Sequence, residues 1–165
     1  LGPVCRLVAS PSSYLKRLSL EGNFLGAPGL RHLAGALEAT SNLQHLDLTA
    51  TGIGRPITLN KSLAEMEEAQ QEVLDSWLAF TLALQANINR TVGSWLTGLI
   101  LLDNHLMEKQ AQLLHTAAIS STPPGRLRTL KVDLSLPGPL FEALWREEEG
   151  HSGGGKKKKG AWATL

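Results

Sequence analysis

The chain has 165 residues, 42% apolar and 19% charged, and its 16 basic and 15 acidic side chains leave a net charge of +1. That balance excludes a disordered polyelectrolyte and fits one elongated globular domain. No stretch of 18 or more apolar residues is present, which excludes an ordinary membrane-spanning helix; no signal peptide is visible, although a missing true start would hide one.

Val4, Leu7 and Val8 have helical spacing ahead of Ser10-Pro11, so the chain opens on a helix. Cys5 falls within it; as the single cysteine it cannot close an internal disulfide and favours a reducing, cytoplasmic setting. Then a pattern begins. Leu15, Leu18, Leu20 and Leu25 occupy positions 1, 4, 6 and 11, with Asn23 at position 9. Leu43, Leu46, Leu48 and Ile53 repeat it 28 residues on, with Thr51 in the polar place. Leu96, Leu99, Leu101 and Leu106 repeat it again around Asn104, and Leu127, Leu130 and Val132 with Ser135 form a weaker copy. Such units cannot bury their apolar faces alone and must stack on one another. The opening helix then looks like that of a unit whose strand lies upstream. With no initiator Met and no polar cap, the 165 residues read as the end of a longer array or part of a bigger chain. The alternative is a short cap helix on a complete small domain.

Residues two apart on a strand share a face. The leucines therefore point to a common core, and the residues between them line an open face. These are Arg17, Ser19 and Glu21; His45, Asp47 and Thr49; Gly98, Ile100 and Leu102; and Thr129, Lys131 and Asp133. The polar side chain at position 9 is placed to hydrogen-bond the turning backbone and its equivalent in the next unit.

Each strand leads into a helix pattern. Pro28 near a helix start, then Leu30, Leu33, Ala34 and Leu37, predicts a helix over 28–39. Ala111, Leu114, Ala117 and Ala118 predict one over 107–120, stopped by Pro123-Pro124-Gly125. Pro139 ahead of Leu140, Phe141, Leu144 and Trp145 predicts a closing helix over 139–146. Strand, turn, helix and turn in about 28 to 31 residues make an α/β fold, a right-handed β/α solenoid. Its short parallel sheet would lie on the concave face and its helices on the convex face.

The second and third units begin 53 residues apart, so a helical insertion occupies about 55–72. Ser62 and Glu65 form a capping-box pattern opening a helix over 62–87, about 39 Å long at roughly 1.5 Å per residue. Between Glu65 and Glu72 the one large apolar residue is Met66, whereas Val73, Leu74, Trp77, Leu78, Phe80, Leu82 and Leu84 crowd the second half. The second half reads as the ordinary repeat helix. The first half is either a solvated extension or a docking element, a common use of insertions in repeat arrays.

On these residues the chain resembles the leucine-rich repeats of the ribonuclease-inhibitor-like class. That class occurs in NOD-like receptors, the Ran GTPase-activating protein, tropomodulins and flagellar regulatory proteins. Asn23-Phe-Leu25-Gly26-Ala-Pro28-Gly29-Leu30, with Leu33, Ala34, Ala36 and Leu37 after it, carries the resemblance most specifically. It implies a horseshoe segment over 1–146 and leaves 147–165 as a flexible Gly- and Lys-rich tail. The lone cysteine sets the chain apart from the cysteine-rich ribonuclease inhibitors. Without Lys156–Lys159 the cations fall to 12 against 15 acidic residues, so the tail alone turns the chain positive. That run is solvated and inert, a contact for an acidic surface, or a processing artefact.

No catalytic residue, cofactor or metal site is predicted. The five histidines have no cysteine or carboxylate at ligand spacing, and Gly153–Gly155 neither follow a strand nor open a helix. His45 and His105 each stand next to a repeat leucine and read as edge or turn residues. Glu65, Glu67 and Glu68 read as a solvated helix face rather than as acid–base groups. The expected function is a non-enzymatic protein–protein interaction scaffold, a subunit or C-terminal part of a larger assembly. Cytoplasmic settings, cytoskeletal or axonemal complexes among them, are compatible. The contact is expected on the concave face over Ile100 and Leu102, with Gly98 leaving room for a partner's backbone. Asp47, Lys131, Arg17, His45 and the 62–72 segment would flank it. Alternatively the insertion or an upstream segment covers these residues in cis. Two further functions stay open. One is a GTPase regulator of the Ran GTPase-activating type, for which no residue can be matched and the tail has the wrong charge. The other is a nucleic-acid-associated scaffold using Lys156–Lys159 and Trp162.

Overall fold

A computed structural model of the chain describes residues 1–39, 42–56, 60–91, 95–119, 127–133 and 138–139. Where leucines alternate with other residues, the chain runs extended for three residues and then turns. Four such strands form: β1 (Arg17–Ser19), β2 (His45–Asp47), β3 (Gly98–Ile100) and β4 (Thr129–Lys131). They pair in parallel in the order β1-β2-β3-β4. Leu18, Leu46, Leu99 and Leu130 stand side by side at the strand centres, where the repeat spacing places them. A slip of one residue would turn every leucine away from the core, so burial on one face holds the register.

Four helices accompany the strands: α1 (Gly2–Ala9), α2 (Gly26–Ala39), α3 (Leu63–Ile88) and α4 (Glu108–Ile119). They pack as neighbours in chain order. Leu30, Leu33 and Leu37 of α2, Val73, Trp77, Phe80 and Leu84 of α3, and Ala111 and Leu114 of α4 are buried in one cluster with the strand leucines. The result is a mixed α/β fold with the core between a helix layer and a short parallel sheet. Among the described residues, 55–72 adds helix and loop and no further strand. Beyond residue 139, the helix expected over 139–146 and the tail 147–165 lie outside the described residues. In α1, Val8 is buried and Val4 and Cys5 are half-buried, while Leu7 is exposed. Burial pushes the Cys5 thiol above its ordinary pKa, with the N-terminal ammonium opposing the shift.

The turns close through polar side chains that reach from one unit to the one before. Buried Asn104 donates from Nδ2 to the carbonyls of Leu48 (2.7 Å), Leu101 (3.1 Å) and Leu102 (3.1 Å). Its Oδ1 accepts from the Thr51 amide (3.0 Å) and hydroxyl (3.1 Å). Asp133, expected on the open face, is instead buried: its carboxylate accepts from the amides of Asn104 (3.3 Å) and Leu106 (3.1 Å). Two buried N–H groups need acceptors, and the chain after β4 supplies them two residues earlier than the repeat implies. Ser135, the expected residue, lies outside the described residues.

Candidate functional site

Registered pairing arranges the open side of the sheet in rows. One row is Arg17, His45, Gly98 and Thr129; the next is Ser19, Asp47, Ile100 and Lys131. Adjacent strands lie about 4.8 Å apart, so Asp47 and Lys131 bracket Ile100 from either side. Ile100 and Leu102 are half-buried rather than fully exposed. Asp47 is committed locally: its Oδ1 accepts from the Thr49 amide (2.9 Å) and hydroxyl (2.7 Å), which stiffens the chain leaving β2.

Gly98 does not offer open space. It is buried, and a Cβ built on it would collide with Nδ1 of His45 and lie 3.2 Å from that ring's Cε1. The imidazole of β2 fills the room that a side chain on β3 would take. The expectation that Gly98 admits a partner's backbone is therefore corrected, and so is the reading of His45 as an edge or turn residue. His105 is in a turn, with φ of 54°. Arg17 is exposed on β1, and Lys131 is half-buried on β4.

The 62–72 segment does not join these rows. Val73, Trp77 and Phe80 of α3 enter the core behind the sheet, which puts the helix on the opposite side from Ile100. The indole of Trp77 fixes it there, donating to the Ile53 carbonyl (2.8 Å) and meeting Phe80 edge-on at 5.9 Å between ring centroids. The helix opens with the capping box the sequence indicates: Ser62 Oγ accepts from the Glu65 amide (3.4 Å), and Glu65 Oε2 accepts from the Ser62 amide (2.8 Å) and hydroxyl (2.7 Å). The Ser62 hydroxyl, then the Ser62 amide, hold the Glu65 carboxyl below its ordinary pKa, with Lys61 adding to the effect. A carboxylate so engaged is a cap.

The first turns of α3 instead stand beside the start of α2 and Arg55, Pro56 and Lys61, around a groove of about 190 Å³. Phe24, one of its walls, is 66% exposed, and sequence reasoning passed over it. Its signal was an aromatic residue at a non-core place in the first repeat, beside Asn23. Among the described residues no group of three or more His, Cys, Asp or Glu is placed to hold a metal ion, and no helix is long and apolar enough to cross a membrane. No protein-family model matches the chain, and no curated protein matches it.

Proposed function

We propose that this chain is a non-enzymatic protein–protein interaction scaffold, a repeat solenoid of the ribonuclease-inhibitor-like leucine-rich class whose sheet face meets its partner. The observation that carries the reading is the row Ser19–Asp47–Ile100–Lys131, an aliphatic side chain between opposite charges, with Leu102 two residues on. An apolar centre flanked by polar side chains is the common anatomy of a protein contact. Strands of three residues separated by helices also leave that face shallow and open. The half-burial of Ile100 and Leu102 makes their contribution a shared one, with Asp47 and Lys131 setting orientation more than affinity. Cytoplasmic residence and membership of a cytoskeletal or axonemal assembly belong to the same proposal.

The test compares affinity capture by the wild-type chain, by Ile100→Asp with Leu102→Asp, and by Leu78→Asp on the exposed side of α3. Proteins lost with the sheet-face variant and kept with Leu78→Asp, while thermal unfolding stays unchanged, support the site. Retention by all three overturns it. Unfolding of the double variant would mean that the two side chains serve the core.

A further inference from the structure

Ahead of each later strand the same backbone bonds recur. The amides of Gln44 and His45 both donate to the Lys16 carbonyl (2.8 and 2.9 Å). Those of Thr97 and Gly98 donate to the Gln44 carbonyl (2.8 and 3.0 Å), and those of Arg128 and Thr129 to the Thr97 carbonyl (2.8 and 3.0 Å). The equivalent amides of the first unit belong to Lys16 and Arg17. β1 ends the sheet, and no carbonyl among the described residues stands where these two need one. Lys16 accepts from His45 and Leu20 donates to Asp47, so the even-numbered residues of β1 turn their backbone groups to β2. The N–H and C=O groups of Arg17 and Ser19 therefore face outward, an unpaired ladder.

The core is open on the same side. Leu46, Leu99 and Leu130 at the other strand centres are 1%, 0% and 0% exposed, whereas Leu18 is half-buried, as are Leu15 and Leu25. Leu7 of α1 is exposed, and Tyr14, just ahead of β1, is 92% exposed. Helices α2, α3 and α4 each join two neighbouring strands, while α1 leads into β1 and packs on α2. At this end the helix layer runs one element past the sheet. Exposed Arg17 and Glu21 mark the start and finish of the edge with opposite charges.

We infer that the free edge of β1 takes a fifth strand, added in parallel by a partner protein. The segment it fits is extended, with leucine-like residues two apart, an acidic residue beside Arg17 and a basic one beside Glu21. Its apolar side chains close the core over Leu18 and Leu20 beneath α1. A carbonyl ahead of its first leucine receives the Lys16 and Arg17 amides, and the carbonyl of that leucine receives the Ser19 amide. Main-chain bonds supply the affinity in such strand addition, and alternate side chains the selectivity. A second copy fits less well. Its β1 in parallel would set Arg17 beside Arg17, and in antiparallel it would bring a second α1 over the place the first occupies. The edge uses neither Ile100 nor Leu102, so this site stands or falls apart from the sheet-face contact.

Fluorescence anisotropy of the full chain tests it, with a labelled synthetic peptide holding glutamate, leucine, threonine, leucine and lysine in that order within a polar frame. One counterpart is N-methylated at both leucine amides, which would face β1, and another at the threonine amide, which would face away. Methylating the leucine amides weakens binding about tenfold or more, the effect of two lost backbone bonds, and methylating the threonine amide leaves it unchanged. Ser19→Pro removes an outward donor and no bond to β2, a place where an edge strand tolerates proline. It weakens binding about tenfold while thermal unfolding stays as in wild type. Arg17→Glu reverses the preference, towards a peptide with the glutamate and lysine exchanged. Equal affinity for the two methylated peptides overturns the inference, since only apolar adhesion is then left. Self-association of the chain that Ser19→Pro abolishes overturns it in favour of a second copy. A gain of about tenfold with Trp162→Asp overturns it by making the chain's own tail the occupant.

Discussion

The two asparagines at equivalent places in the first and third units show how little residue type alone says. Asn104 is buried and bonds both its own unit and the preceding one, whereas Asn23 is exposed and donates to Leu20 and Glu21 of its own turn. Asn104→Ala would strip the Thr51 amide of its acceptor and leave the Leu48 carbonyl only the Thr51 hydroxyl, at a cost of roughly 2–3 kcal/mol, while Asn23→Ala should stay within about 0.5 kcal/mol. Urea unfolding of the two variants measures the difference. The Gly98–His45 contact makes a second prediction of this kind. Gly98→Ala should destabilise by roughly 1–3 kcal/mol, because the imidazole has to leave the place where the new methyl falls. In a His45→Ala background most of that cost should vanish. A double-mutant cycle reads the coupling directly, and additive effects would disprove the contact.

Among the elements, α3 does the most that the repeat does not require. Its cap titrates. The folded-state pKa of Glu65 is depressed, so the cap's contribution is complete above the ordinary glutamate value of 4.5 and is lost as pH falls through the depressed value. The Ser62 amide resonance should follow that titration with a midpoint below 4.5, and Ser62→Ala should move the midpoint upward. An unchanged midpoint would remove the hydroxyl as the main cause. The strands, and α2, α3 and α4 to within two residues, were legible from Leu18, Leu46, Leu99, Leu130 and the helical periods, because burial of one face decides both. The capping box was legible for a local reason: Ser62 and Glu65 satisfy each other within one turn. What escaped depends on distant chain meeting distant chain. His45 fills Gly98 across a strand pair, Asp133 answers amides of the preceding unit, and Phe24 finds α3 from far off in sequence. None of these has a period to read.

For the molecule as a whole, the shared core predicts collective failure. Leu46→Ala or Leu101→Ala removes a fully buried side chain and should cost roughly 2–5 kcal/mol. Because the strand leucines share one core with the helices, either change should lower protection from hydrogen exchange in the adjoining strands as well. Loss confined to the altered unit, or an unchanged melting profile, would contradict the continuity of the core.

The turn bonds also have a direction. After each strand, amides of the earlier unit find their acceptors on the later one: Leu25 on the Thr51 carbonyl, Thr51 on Asn104, and Asn104 and Leu106 on Asp133. Stripping the late neighbour from a turn therefore orphans backbone amides, whereas stripping the early one takes their donors from the Thr51 carbonyl, the Asn104 amide oxygen or the Asp133 carboxylate. Ahead of the strands the direction reverses: the amides of Gln44, Thr97 and Arg128 turn back to the carbonyls of Lys16, Gln44 and Thr97, so each unit is bonded to its neighbour from both ends of the strand.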